Sequence, residues 1–234
     1  MIYAISDVHA HTNLYYKFKE QLNINDKVYV LGDVIDKGDG SIDILLDILE
    51  DDRFTLLLGN HEWLMYVYLE GYKNSISMMR YQNSWMLNDG ERTLKNLHKH
   101  LDKYNFIIEK IKNCPIQIEQ TINNHQIILS HATCDNQGDI FFNGNMSDRI
   151  WNLIWGREVS IIENKITITG HTPVQYPYIG HKKTNENNIL KVEDKNLNAV
   201  WYDIDCGLAM NDGKGVLGVL NLEDFSEKYF YEEE

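Results

Sequence analysis

Asp7 and His9 follow the apolar run "IYAIS", and Asp33 and Asp36 follow "KVYVL". Asn60 and His61 follow "FTLLL", His131 follows "QIILS", and His171 follows "KITIT". Each run has the length and β-branched composition of a strand, so five strands each end in His, Asp or Asn. In open α/β sheets, ligands bind just beyond the carboxyl ends of strands. Strands lying side by side would bring these groups into one crevice. Imidazole, carboxylate and amide are mixed N/O donors, which suit Mn, Fe or Zn better than thiolate-seeking metals or all-oxygen calcium. They are too many for one tetrahedral ion and suit two ions sharing a carboxylate, about 3.5–4 Å apart. Such a pair clamps the attacking and leaving oxygens of an in-line phosphoryl displacement.

The elements that must position these groups are legible in outline. Two further strand-like runs are "AVWYDI" (199–204) and "GVLGVLNL" (215–222). Between the early strands, 13–22 and 41–52 carry helical apolar periodicity, the second opening on Ser41 as a cap. This alternation predicts an α/β fold with parallel pairing in the first third. Residues 62–113 read as a helical insertion broken at Gly71 and at "NDG" (88–90). The polar stretch 181–196 reads as a loop or weak hairpin, and the tail 231–234 as frayed. His11 reads as a polar cap for the helix after it.

The 234 residues are taken as one domain, 43% hydrophobic and 24% charged, in the ordinary range for a globular chain. The net charge of −13 opposes general nucleic-acid binding, because phosphate backbones are repelled. Three cysteines without metal-ligand spacing, Cys114, Cys134 and Cys206, fit a reducing compartment. With no secretory pattern at Met1 and no long apolar run, a cytoplasmic protein away from membranes is expected. Oligomeric state is not readable from the sequence.

The motifs "DVH", "GDVIDKG", "GNHE", "SHA" and "GHT", in this order, resemble the calcineurin-like metallophosphoesterase superfamily. More narrowly they resemble the bacterial and phage branch of the phosphoprotein phosphatases, which are serine/threonine protein phosphatases. The likeness spans nearly the whole chain. "WMLNDGERTL" (85–94), "LIWGRE" (153–158) and "DIDCGLA" (203–209) resemble further segments of that branch. The resemblance implies a β-sandwich of two mixed sheets flanked by helices, and two divalent ions, Mn with Fe or Zn as alternatives. It implies Asp7 and His9 on one ion, Asp33 bridging, and Asn60, His131 and His171 on the other, with Asn60 also facing substrate. His61 would be the general acid, oriented by Asp36, and Arg157 would hold phosphate with Lys37 helping. The implied reaction is direct attack of a metal-bound hydroxide on a phosphate monoester.

Four positions depart from the pattern. Ser6 and Ala10 replace common glycines, Asp89 stands where the insertion often has Gly, and Lys37 stands where the family has Arg. A lysine acts as a point charge where arginine grips bidentately. The expected substrate is a phosphorylated protein or small phosphoester. The alternatives are a nucleotide-directed hydrolase, either a symmetrical dinucleoside tetraphosphatase or a polynucleotide phosphatase, and a non-catalytic metal-bound scaffold. Asp36 argues against the tetraphosphatase, whose motif usually lacks it. Asp205 is a candidate to support the ligands from behind.

Overall fold

Short runs of Val, Ile and Leu buried on both faces form the centre of two sheets in the computed structural model, which describes residues 1–70, 83–176, 187–210 and 215–232. Strands β1 (Ile2–Ile5), β2 (Lys27–Val30) and β3 (Phe54–Leu56) pair in parallel. Strands β10 (Leu217–Asn221) and β11 (Glu227–Phe230) extend them antiparallel, in the order β11-β10-β1-β2-β3. The second sheet runs β6-β4-β5-β7-β9-β8. Its members are β4 (Pro115–Ile122), β5 (His125–Ser130), β6 (Ile140–Phe141), β7 (Ile166–Thr169), β8 (Leu190–Asp194) and β9 (Ala199–Asp203). There β5, β7 and β9 are parallel and the rest antiparallel. Both sheets are therefore mixed, as the resemblance implied.

Side-chain alternation decides which face packs where. Ile5, Val28, Val30, Leu217 and Val219 face the helices α1 (Thr12–Lys19), α2 (Ser41–Glu50) and α3 (Asn60–Glu70) in one core. Ala4, Leu31, Leu57 and Leu220 meet Ile127, Leu129, Ile168 and Tyr202 of the second sheet in another. Helices α4 (Gly90–Leu97), α5 (Tyr104–Lys112) and α6 (Asp148–Trp155) complete the flanks.

Several local expectations are corrected. Ser41 is the first residue of α2 and not its cap; Gly40 holds that position and no side chain caps the helix. His11 does hold the cap position of α1, but its ring makes no cap bond. The ring reaches instead to the Leu208 carbonyl and the Glu232 carboxylate. Within the polar stretch read as a loop or weak hairpin, β8 pairs antiparallel with β9 as a hairpin, whereas β4, β6 and β11 were not among the expected strands. The break at Gly71 lies outside the described residues.

Candidate metal centre and active site

The five strand ends come from two sheets rather than one, yet they meet. The loops after β1 and β2 keep running side by side: Asp7 N–H donates to the Gly32 carbonyl (3.1 Å), His9 N–H to Asp33 (3.0 Å) and Ala10 N–H to Val34 (2.9 Å). Across the sheets, His171 N–H donates to Asp7 Oδ2 (2.9 Å), and within the second sheet Gly170 N–H donates to the His131 carbonyl (2.7 Å). Asp7, His9, Asp33, Asp36, Lys37 and His171 all have left-handed φ, between 44° and 70°. That conformation costs a non-glycine residue about 1 kcal/mol or more and persists where surrounding contacts over-determine it. Gly32 has φ 86°, and a Cβ on it would lie 2.5 Å from Gly59 Cα. Only glycine at both places lets the second and third strand ends approach this closely.

Glu62 is the clamp on this arrangement. It is fully buried, and its carboxylate accepts from the backbone N–H groups of Asp33 (2.8 Å), Val34 (2.8 Å), Ile35 (3.3 Å) and Gly59 (3.2 Å). One side chain thereby satisfies three buried donors of the loop that carries Asp33 and a fourth in the loop after β3.

The would-be ligands converge on Asp33. Its carboxylate belongs to both clusters able to hold a cation, with His9 and His61 on one side and His131 and His171 on the other. His9 Nδ1 donates to the Ile35 carbonyl (2.9 Å), which turns Nε2 toward Asp33 Oδ2 (3.8 Å) and Asp7 Oδ1 (3.9 Å). His131 Nδ1 donates to the Leu31 carbonyl (2.6 Å), turning Nε2 toward Asn60 Oδ1 (2.9 Å) and Asp33 Oδ1 (3.4 Å). Fixing one imidazole nitrogen by a carbonyl and leaving the other for a cation is how metal-binding histidines are oriented. Burial, reinforced by the neighbouring His61, lowers His9 to about 3. Burial and the nearby His131 also push His171 well below the usual range. Both rings are therefore neutral, as ligands must be.

These residues fit a pair of divalent ions. His171 Nε2 is buried without a hydrogen-bond partner. Burial and the charges of Asp205 and Asp33 raise Asp7 well above the carboxylate range, so an ionised Asp7 there calls for a cation. Asp33 is held well below its usual range: burial opposes this, but the imidazoles of His131 and His61 outweigh it.

Beside the cluster stands a buried pair. Asp36 Oδ2 accepts from His61 Nδ1 at 2.6 Å, so Nε2 faces the crevice, 3.7 Å from Asp33 Oδ2. Burial would lower His61, yet the charges of Asp33 and Asp36 prevail and raise it to about 9. Asp36 also accepts from Trp85 Nε1 (2.9 Å to Oδ2) and from the Thr93 hydroxyl at Oδ1.

The structure thus brings Asp7, His9, Asp33, Asp36, Asn60, His61, His131 and His171 together. The two cations foreseen for phosphate lie on different flanks. Arg157 is exposed on the His171 side, its Nη1 donating to Thr172 Oγ1 (2.9 Å), and its charge helps keep His171 low. Lys37 is half-buried on the His9 side, lining a cleft with His11, Thr12 and Glu232. Sequence reasoning assigned no role to Glu62, Trp85 or Thr93. Their signal was present in the quoted "GNHE" and "WMLNDGERTL" segments. Asp205 is buried, and burial together with the charge of Asp33 raises it to about 7, which places it within electrostatic reach of the ligands.

The profile of the calcineurin-like phosphoesterase family matches residues 1–201. The chain belongs to that family, a class of metal-dependent phosphoester hydrolases. Among curated proteins no sequence matches it. Among solved structures, it is similar to a protein serine/threonine phosphatase from Saccharomyces cerevisiae described as similar to human phosphatase PP5. That match has a TM-score of 0.54 and 12% identity, over 100% of this chain and 80% of the other. It is also similar to a candidate diadenosine tetraphosphatase, with a TM-score of 0.53 and 12% identity, over 98% of this chain and 92% of the other. At such identities the likeness is one of fold. Among the described residues, no helix is long and apolar enough to cross a membrane.

Proposed function

We propose that this chain is a dinuclear-metal phosphomonoesterase of the phosphoprotein phosphatase type, acting on phosphorylated proteins or small phosphoesters. The observation that carries this reading is the Asp36–His61 pair at 2.6 Å beside the ligand cluster. A leaving alkoxide needs a proton, and an imidazole locked on Nδ1 with Nε2 in the crevice can deliver it. Asp7 and His9 would hold one ion; Asn60, His131 and His171 would hold the other; Asp33 would touch both. Mn, Fe and Zn all suit these donors. Ions held there supply Lewis acidity to the phosphate and to a nucleophilic water. Arg157 binds phosphate oxygens from the His171 flank, and Lys37 adds charge from the His9 flank. The unpaired thiols of Cys114, Cys134 and Cys206 favour a reducing, cytoplasmic setting.

The test is turnover of phosphopeptides, diadenosine tetraphosphate and end-phosphorylated RNA side by side with Mn²⁺. Phosphopeptides are expected to give the highest kcat/KM. Preference for the tetraphosphate or the RNA end would assign the chain to nucleotide hydrolysis, and no turnover of any would leave a scaffold.

A further inference from the structure

Asp36 is fully buried, and its carboxylate is surrounded by three side-chain donors. His61 Nδ1–H points at Oδ2 at 2.6 Å, Trp85 Nε1–H is shared between Oδ2 (2.9 Å) and Oδ1 (3.2 Å), and the Thr93 hydroxyl points at Oδ1. Trp85 and Thr93 are themselves fully buried, and they are 49 and 57 residues away in the chain. Thr93 lies on α4 and Trp85 just before it. The insertion therefore reaches the reaction centre through one carboxylate.

The local packing separates catalytic positioning from simple structure. The Asp36 backbone N–H has two acceptors, Ser41 Oγ at 3.0 Å and Thr93 Oγ1 at 3.1 Å. Loss of the Thr93 hydroxyl leaves that N–H paired with Ser41. At Oδ1 the loss is larger: without the hydroxyl that oxygen keeps only the longer, 3.2 Å arm of Trp85 Nε1–H. A buried carboxylate held only by His61 on Oδ2 and by a Trp85 N–H shared between its two oxygens is less firmly fixed about its Cβ–Cγ bond.

We propose that Trp85 and Thr93 are positioning residues for proton delivery, fixing the plane of the Asp36 carboxylate so that His61 keeps Nε2 aimed at the departing oxygen. The proposal rests on the phosphomonoesterase reading. It makes the insertion part of the acid-delivery machinery rather than a passive cover.

The experiment uses the full chain with Mn²⁺ and two monoesters: p-nitrophenyl phosphate, whose leaving group needs little protonation, and an alkyl phosphate, whose leaving group needs it fully. Thr93→Val keeps the shape and removes the hydroxyl; Trp85→Phe removes the indole donor; Thr93→Ser restores the hydroxyl. Thr93→Val should lower kcat on the alkyl ester by about ten- to a hundredfold and on the aryl ester by less than about threefold, with KM little changed. Thr93→Ser should recover the alkyl activity, and Trp85→Phe should show the same split. Equal losses on both esters, or no loss, would overturn the proposal.

A second readout is independent of turnover. The low-field ¹H NMR signal of His61 Nδ1–H, assigned by its absence in His61→Asn, should shift upfield in metal-free Thr93→Val. An unmoved signal would count against the proposal on its own. A wild-type protein that hydrolyses neither ester would instead sink the functional reading, so the two failures are distinguishable.

Discussion

The proton on His61 Nδ1 is committed to Asp36, so whatever His61 does to a substrate it does through Nε2. His61→Asn should keep ions bound and lower kcat on alkyl phosphates by about 10²–10⁴-fold, with aryl phosphates of good leaving groups much less affected. A leaving-group series measured on both proteins checks this, and parallel lines would remove the acid role. Glu62 acts one step behind. Its carboxylate accepts four backbone donors around Asp33. An amide replacement turns one acceptor into a donor facing N–H groups, leaving some of them unpaired. Glu62→Gln should therefore cost about 2 kcal/mol of stability and weaken ion affinity as the Asp33 loop loosens. Urea unfolding and metal titration measure the two effects. Stability unchanged within error would show that the clamp is dispensable.

The turn between α2 and β3 shows how elements are tied. Asp51 accepts from Arg53 Nε (3.0 Å) and Nη2 (2.7 Å) and lies 3.1 Å from Lys19 Nζ on α1. Its bonds to Arg53 hold the carboxylate well below the usual range. A depressed carboxylate stabilises the fold above its unfolded pKa, near 3.9, and loses that contribution as pH falls through the folded value. Asp51→Asn should thus cost about 0.5–1 kcal/mol at pH 7, with the gap to wild type closing below about pH 4. Thermal melts across pH measure it, and a gap that persisted in acid would contradict the assignment. The strands bearing ligands were legible because each is a short apolar run capped by a polar motif. β4 ("PIQIEQTI") and β8 ("LKVED") were not, because they contain no such run and carry their strand signal only as apolar/polar alternation. The same limit applies to contacts. Asp36–His61 could be anticipated through the motif, but Trp85 and Thr93 on Asp36, and His11 on Leu208 and Glu232, are set by packing across distant segments. Local cap rules gave the wrong partner for both Ser41 and His11 for that reason.

At the scale of the molecule, two mixed sheets are pressed together so that loops from both supply one site. Asp7, His9, Asp33 and Asn60 come from the first sheet's strand ends, and His131 and His171 from the second's. The halves are joined by the His171 N–H on Asp7 Oδ2 and by His131 Nδ1–H on the Leu31 carbonyl, and Asp33 is the side chain that both ion clusters share. The central claim is that this shared carboxylate serves two cations at once. The most direct test is stepwise addition of Mn²⁺ to metal-free wild type and Asp33→Asn, with bound metal and aryl phosphate hydrolysis followed together. Wild type should bind two ions per chain, with activity rising to its plateau as the second binds, while Asp33→Asn should lose tight binding of both and nearly all activity. Two tightly held ions and full turnover in Asp33→Asn would contradict the account.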